Sequence, residues 1–276
     1  MSLDQLQPGT GHLSVELAAG QSTATSVWAT SPLKILTPRP RGPSVWACLS
    51  SFGGGLVAGD EISLTLNVGE GARCFLSTQA STKVYRNPDS QPCSHYLRAH
   101  LAREALLALA PDPVQAFAQS RYRQRQEFHL QPKSGLVLVD WLCSGRAARG
   151  ERWAFDRFHS QNEIFLGESR VLLDSLLLEP ADGPLEASHR MGRFNCLALV
   201  VVIGDTLAAV SARLLEEVAR LPMPRHAPLV CSASPITQGS LIRIAGESVE
   251  AVSHEVRRLL SFVPQFLHDD PWARKW

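Results

Sequence analysis

The glycine run Gly53-Gly54-Gly55 is the first feature of the chain with a chemistry attached, because backbone amides freed of side chains can cradle an anionic phosphate. A phosphate loop continues as Gly-Lys-Ser/Thr into a helix. Here Leu56-Val57-Ala58-Gly59-Asp60 leads instead into an alternating strand pattern from Glu61, and a dinucleotide fingerprint fails for the same reason. The glycines are expected to serve tight turns or a close backbone approach. Asp60, directly after Gly59 at a strand entrance, is either a turn-capping carboxylate or one that faces a cavity. The stretch from Ser77 to Arg86 carries Ser77, Thr78, Gln79, Ser81 and Thr82 ahead of Lys83, Tyr85 and Arg86. It reads as a hydrated, hydrogen-bonded wall or as an exposed edge strand.

Other chemistries find less support. No Gly-x-Ser-x-Gly elbow exists to strain a nucleophilic serine into place. His95 and His100 are five apart, which does not put both on one helical face, so they are expected to be solvated histidines near a loop. The six cysteines are scattered without a CxxC pair, which argues for buried free thiols and against a structural metal site. Asp140 and Asp174 stand out because they lie inside apolar strand patterns. A carboxylate there must be paired, hydrated or poised for a cation, since burying it bare costs several kcal/mol. Gly145 to Glu151 reads as a basic, hairpin-like connection between two strands, with a solvated turn as the alternative.

The elements that position these residues are mostly strands. Ile62, Leu64, Leu66 and Val68 alternate with Ser63, Thr65 and Asn67, and Tyr122, Gln124, Gln126, Phe128 and Leu130 alternate with charged neighbours in the same way. Leu136 to Leu142 is more continuous and fits a strand covered on both faces. Trp153 with Phe155, Ile164 with Leu166, and Val171 to Leu178 suggest further strands, separated by turn signals such as Asn87-Pro88-Asp89 and Pro132-Lys133-Ser134-Gly135. The last third differs. A strand over Leu197 to Ile203, capped by Asp205 or Thr206, precedes a helix carrying Leu207, Val210, Leu214, Val218 and Leu221. A strand over Leu241 to Ala245 precedes a second helix, capped by Ser248 and ended by Pro264. The expected fold is mainly β, with many short strands and two α-helices in the C-terminal third. One domain is expected over residues 1–276, β-rich to residue 190 and mixed β/α from 191 to 276.

Composition bounds the partners. A formal net charge of +1 leaves no cationic excess for a nucleic-acid backbone or an anionic membrane surface. The run Leu197 to Ile203 is far shorter than the ~20 residues needed to span a bilayer. Residues 1–30 carry Asp4 and Glu16 and lack the basic start and apolar run of a secretory leader, so a cytosolic location is expected.

Taken together, Gly53 to Asp60 resembles the GGGxVxGD motif of the urease accessory protein UreD (UreH) family, and Thr78 to Arg86 resembles its TQxxTKVYR motif. Pro32-Leu33-Lys34, Pro111-Asp112-Pro113, Ser120-Arg121-Tyr122, Arg146 to Gly150-Glu151 and Phe155 follow in matching order. The resemblance implies a β-helix-like stack of short strands with two helices and no catalysis. It implies a chaperone that, with UreF and the GTPase UreG, docks on apo-urease and helps deliver nickel, by way of a water-filled passage. Carried over residue by residue, Asp60, Ser81, Thr82 and Lys83 match the motifs, while Asp140 and Asp174 stand where the family usually has glutamate, one methylene longer; these six are the candidate nickel path. Gly53, Gly54, Gly55, Gly59, Tyr85, Arg86, Arg146, Gly150 and Glu151 are the structural motif positions. No cofactor and no stable metal site are expected, only transient Ni2+. Oxygen ligands bind this borderline ion weakly, as a transit site requires. A plain interaction scaffold without a metal path and a β-rich enzyme of unknown type are the alternatives.

Overall fold

The computed structural model describes residues 7–89 and 91–275. Its strands are β1 (Thr10–Ala18), β2 (Gln21–Ala29), β3 (Leu33–Leu36), β4 (Val45–Ser51), β5 (Glu61–Val68), β6 (Arg73–Thr78), β7 (Thr82–Val84), β8 (Cys93–Leu101) and β9 (Leu106–Leu109). They continue as β10 (Val114–Ala116), β11 (Arg121–Leu130), β12 (Gly135–Cys143), β13 (Arg157–Leu166), β14 (Ser169–Leu178), β15 (Cys196–Ile203), β16 (Leu229–Ile236) and β17 (Gly239–Gly246). The helices α1 (Ala208–Ala219), α2 (Val249–Leu259), α3 (Val263–Leu267) and α4 (Trp272–Lys275) all fall late. With 48% strand and 15% helix the fold is mainly β.

Two sheets face each other, and the chain shuttles between them. The first is ordered β14-β13-β11-β8-β5-β1-β2 and the second runs from β16 through β17, β15, β12, β9, β6 and β4 to β3. Successive visits stack in parallel, β5 on β8 on β11 on β13 in the first sheet and β4 on β6 on β9 on β12 in the second, which makes the β-solenoid-like stack. Antiparallel hairpins close the ends, β1/β2 and β3/β4 at one, β13/β14 and β16/β17 at the other.

Alternation decides which side chains enter the space between the sheets. Ile62, Leu64, Leu66 and Val68 are buried there with Leu13, Leu107, Phe128 and Leu138. The outer face of the second sheet is covered in turn by α1 and α2, where Val139, Val200 and Val202 meet Leu214, Val218 and Val256. Both faces of β12 and β15 are therefore buried, which explains their uninterrupted apolar sequences. Five of the six free thiols are buried, and Cys48 is half-buried.

Several local expectations change. Trp153 and Phe155 lie in no strand. Trp153 has φ 53° and sits in the loop before β13, where its Nε1 donates to the Phe194 carbonyl at 3.1 Å, so both rings serve the core from irregular backbone. The Arg146–Glu151 segment joins strands of opposite sheets and is not a hairpin. Helix α1 starts through a 3-10 turn, Asp205–Leu207, and neither Asp205 nor Thr206 caps it. Ser248 does cap α2, accepting from the Ala251 amide at 3.1 Å. Pro264 does not end α2, which stops at Leu259. It stands in the first turn of α3, where a missing N–H costs nothing. The strands β1 to β4, β8 to β10 and β16 correspond to no strand read from the sequence, although Leu13, Val15 and Leu17 alternate in β1.

Candidate functional site

Between the sheets the apolar core is interrupted by a polar belt. In the first sheet, strand register places His95, Gln124 and Ser160 side by side on β8, β11 and β13, and Gln126, Asn162 and Asp174 side by side on β11, β13 and β14. The second sheet contributes Asp140 from the middle of β12. These groups meet across the gap. Gln124 Nε2 donates to Asp140 Oδ1 at 2.9 Å, while Ser160 Oγ and Asn162 Nδ2 donate to Asp140 Oδ2 at 2.5 and 2.8 Å. Gln126 Nε2 donates to Asn162 Oδ1 at 2.9 Å, and the Tyr122 hydroxyl donates to Gln124 Oε1 at 3.1 Å. Apart from His95, whose Nε2 is buried without a hydrogen bond, polar side chains this deep are tolerated because they satisfy one another.

Among the described residues, the donors to the Asp140 carboxylate are all uncharged. Burial pushes its pKa above the usual carboxylate range. The bonds from Ser160, Asn162 and Gln124 pull it back, and the nearby Asp174 pushes it up. Asp174 is held differently, its Oδ1 lying 2.6 Å from Arg243 Nη2.

Three cavities follow this belt. An outer chamber of about 190 Å³, open to solvent, is lined by Gln79, Ser81, Thr82, Thr78 and His95 among others. A neck of about 30 Å³ shares Thr78, Thr82 and His95 with it and adds Asp112, Gln124 and Asp140. That volume suits about one water molecule. A second chamber of about 450 Å³ shares Asp140 with the neck and is lined by Ser160, Asp174, Arg243 and Met223, again opening to solvent.

Ser81, Thr82, Asp140 and Asp174 thus gather along one line of cavities. Asp60 and Lys83 line none of the three. The Asp60 carboxylate accepts from the Val57 amide at 2.9 Å and closes the turn before β5, while Lys83 is exposed on β7. The motif positions build corners. Gly53, Gly54 and Gly59 have φ of 77°, 71° and 80°, which side chains resist, and Gly55 packs where a Cβ would stand 2.7 Å from the Lys83 carbonyl. Tyr85 packs edge-on against Phe117, and the Arg146 guanidinium lies 4.4 Å from the centre of the same ring. Arg146 also pairs with Glu151, Nε to Oε2 at 2.9 Å, around the left-handed Gly150. Arg86 lines the same shallow depression as these residues.

His95 corrects an expectation. It is no loop histidine: it points inward from β8 with a buried ring nitrogen, while His100 faces outward on the same strand and stacks on His129. An odd separation in a strand puts the two on opposite faces. Gln124, Gln126, Ser160, Asn162 and Arg243 were also missed as site residues. The signal for the first two was visible, because both glutamines occupy the buried register of β11 alongside Tyr122 and Phe128.

Among the described residues no three His, Cys, Asp or Glu side chains group closely enough to hold a metal ion, and no helix is long and apolar enough to cross a membrane. The family model for the UreD urease accessory protein matches residues 7–276. A protein of Sorangium cellulosum named urease accessory protein UreD is 47% identical over 97% of this chain and 84% of its own length. Another of that name from Anaeromyxobacter is 42% identical over 98% of this chain and 90% of its own length. Urease accessory protein D of Arabidopsis thaliana is 34% identical, covering 96% and 99%. All three names describe accessory proteins rather than enzymes.

Proposed function

Because the chain belongs to the UreD family of urease accessory proteins, we propose that it is a cytosolic, non-catalytic chaperone that docks with UreF and UreG on apo-urease and passes nickel to it along the cavities between its sheets. The observation that carries this reading is Asp140. A carboxylate at the junction of neck and second chamber, solvated by amides and a hydroxyl with no cation bonded to it, lowers the electrostatic barrier for a divalent ion without trapping it. Ser81 and Thr82 supply neutral oxygens at the entrance and Asp174 a second carboxylate in the far chamber. Hard oxygens bind Ni2+ weakly enough to release it. The exposed apolar side chains Leu173 and Leu177 on β14, and Met223 beside the far chamber, offer the surface a partner would cover.

A scaffold without a metal path would need the docking surface but not the polar belt, whose burial such a role does not repay. The test is assembly of the full chain with UreF, UreG and apo-urease, followed by metal analysis of the urease. Asp140→Ala and Asp174→Ala are expected to assemble normally yet lower nickel content. Normal nickel in both variants leaves the scaffold reading, and no association with UreF removes the assignment of partners.

A further inference from the structure

Among the described residues His95 is the one imidazole in the wall of these three cavities, lining both the outer chamber and the neck. Its Nε2 is buried and makes no hydrogen bond. A buried ring nitrogen left unsatisfied costs about 1–3 kcal/mol, so a histidine serving only to fill the core would be expected to have a partner. The charged form is strongly disfavoured: burial pushes the pKa down to about 4, leaving the ring neutral, with a lone pair available, across the physiological range. Asp112 also lines the neck and is held in place by Thr78, whose hydroxyl donates to Asp112 Oδ2 at 2.9 Å and accepts from the Asp112 amide at 2.7 Å. The oxygen donors elsewhere along the cavities suit Mg2+ as well as they suit Ni2+, and so do not choose between them.

We infer that His95 is the transit ligand that makes the passage selective, its Nε2 taking one coordination position of a partly hydrated Ni2+ at the neck while the Asp112 carboxylate faces the ion. Imidazole suits nickel and is a poor ligand for magnesium. A single nitrogen ligand sets a preference, and it falls short of the three or four protein ligands that would hold the ion permanently. The position matters as much as the chemistry: a neck of about 30 Å³ forces the ion to shed water, and shedding is what exposes it to discrimination.

This inference rests on the nickel-path reading, and the experiment separates the two. Urease is matured by the full chain with UreF and UreG, using nickel sulfate with and without excess magnesium chloride, and nickel per urease is measured. Wild type is expected to load equally in both conditions. His95→Gln is expected to load about tenfold less nickel when magnesium is present, the lower end of what even an outer-shell change costs a metal site. Thr82→Trp, which plugs the neck, is expected to stop loading in both. Thermal unfolding and co-purification with UreF confirm folding, and His95→Asn replaces His95→Gln if the latter melts early. Equal loading by the His95 variants with and without magnesium, while Thr82→Trp blocks, overturns the role of His95 and leaves the path standing. Normal loading by Thr82→Trp overturns the path and the inference with it.

Discussion

Arg243 Nη2 stands 2.6 Å from Asp174 Oδ1, an ion pair that ties β17 of one sheet to β14 of the other at the wall of the larger chamber. The pair is asymmetric: the Arg243 side chain is 57% exposed and that of Asp174 only 14%. Solvent therefore screens the arginine more than the carboxylate. Asp174 raises the cost of ionising Asp140, yet of the two it is Asp174 that has a cation beside it. The chamber thus contains one carboxylate already neutralised and one that is not.

Replacing Arg243 should separate stability from transport. A half-exposed pair contributes little, so Arg243→Gln is expected to cost about 1 kcal/mol or less in urea unfolding. If Asp174 assists nickel, freeing it from its arginine should leave loading at or above wild type when nickel is limiting, whereas Asp174→Ala lowers it. A fall in loading for Arg243→Gln as large as that for Asp174→Ala would show that the pair, and not the carboxylate, matters.

Asp140 should give a pH signature of definite sign. Its pKa is raised in the folded chain, so the native state binds more protons than the unfolded state above the ordinary carboxylate range. Stability contributed by this residue is greatest below the unfolded pKa and declines as pH rises through the folded value. Asp140→Asn removes that decline. The stability of the variant relative to wild type is therefore expected to improve between acid and neutral pH, read as a melting difference at several pH values. Asp140→Ala is expected to be worse than Asn at every pH, by about 1–3 kcal/mol, because it strands the Gln124 and Asn162 amides.

The two kinds of glycine in the 53–55 run are distinguishable. Gly53 has φ 77° and open space around it, so Gly53→Ala costs only left-handed strain, about 1–2 kcal/mol. Gly55 has extended backbone, but a Cβ would lie 2.7 Å from the Lys83 carbonyl and 2.6 Å from the Tyr85 ring, and overpacking of this kind costs about 1–3 kcal/mol. Asparagine tells them apart in urea midpoints. It tolerates the left-handed region and should recover part of the loss at position 53, and it should deepen the loss at 55.

Much of the frame was legible because period-2 alternation is a local signal: Ile62 to Val68 and Tyr122 to Leu130 announce their buried faces directly. The helices were legible from Ser248 and from the spacing of Val210, Leu214 and Val218. What stayed hidden depends on which strands become neighbours. Nothing in the sequence puts His95 beside Gln124 or Asp140 opposite Ser160: the first pair is made by parallel stacking of strands 29 residues apart, the second by contact between the two sheets at a separation of 20 residues. For the same reason Arg243 could not be matched to Asp174, 69 residues away. The glutamines of β11 were the exception: polar residues in a buried register signalled a polar interior before any neighbour was known.

Glu151 should show the opposite pH sign to Asp140. Its hydrogen bonds from Arg146 hold its pKa below the usual carboxylate range, with the Ala118 amide and the charges of Arg146 and Arg149 adding to the effect. A carboxylate of lowered pKa stabilises the fold above its unfolded value, and that contribution disappears as pH falls through the folded one. Because the pair also anchors the guanidinium over Phe117, Glu151→Gln should loosen the corner that Arg146, Tyr85 and Phe117 share. The expected result is a melting temperature below wild type at neutral pH and a difference that closes on acidification, while Arg146→Lys, lacking the planar fork, reproduces the neutral-pH loss. A Glu151→Gln difference that persists undiminished at acid pH would mean that shape, and not charge, holds this corner together.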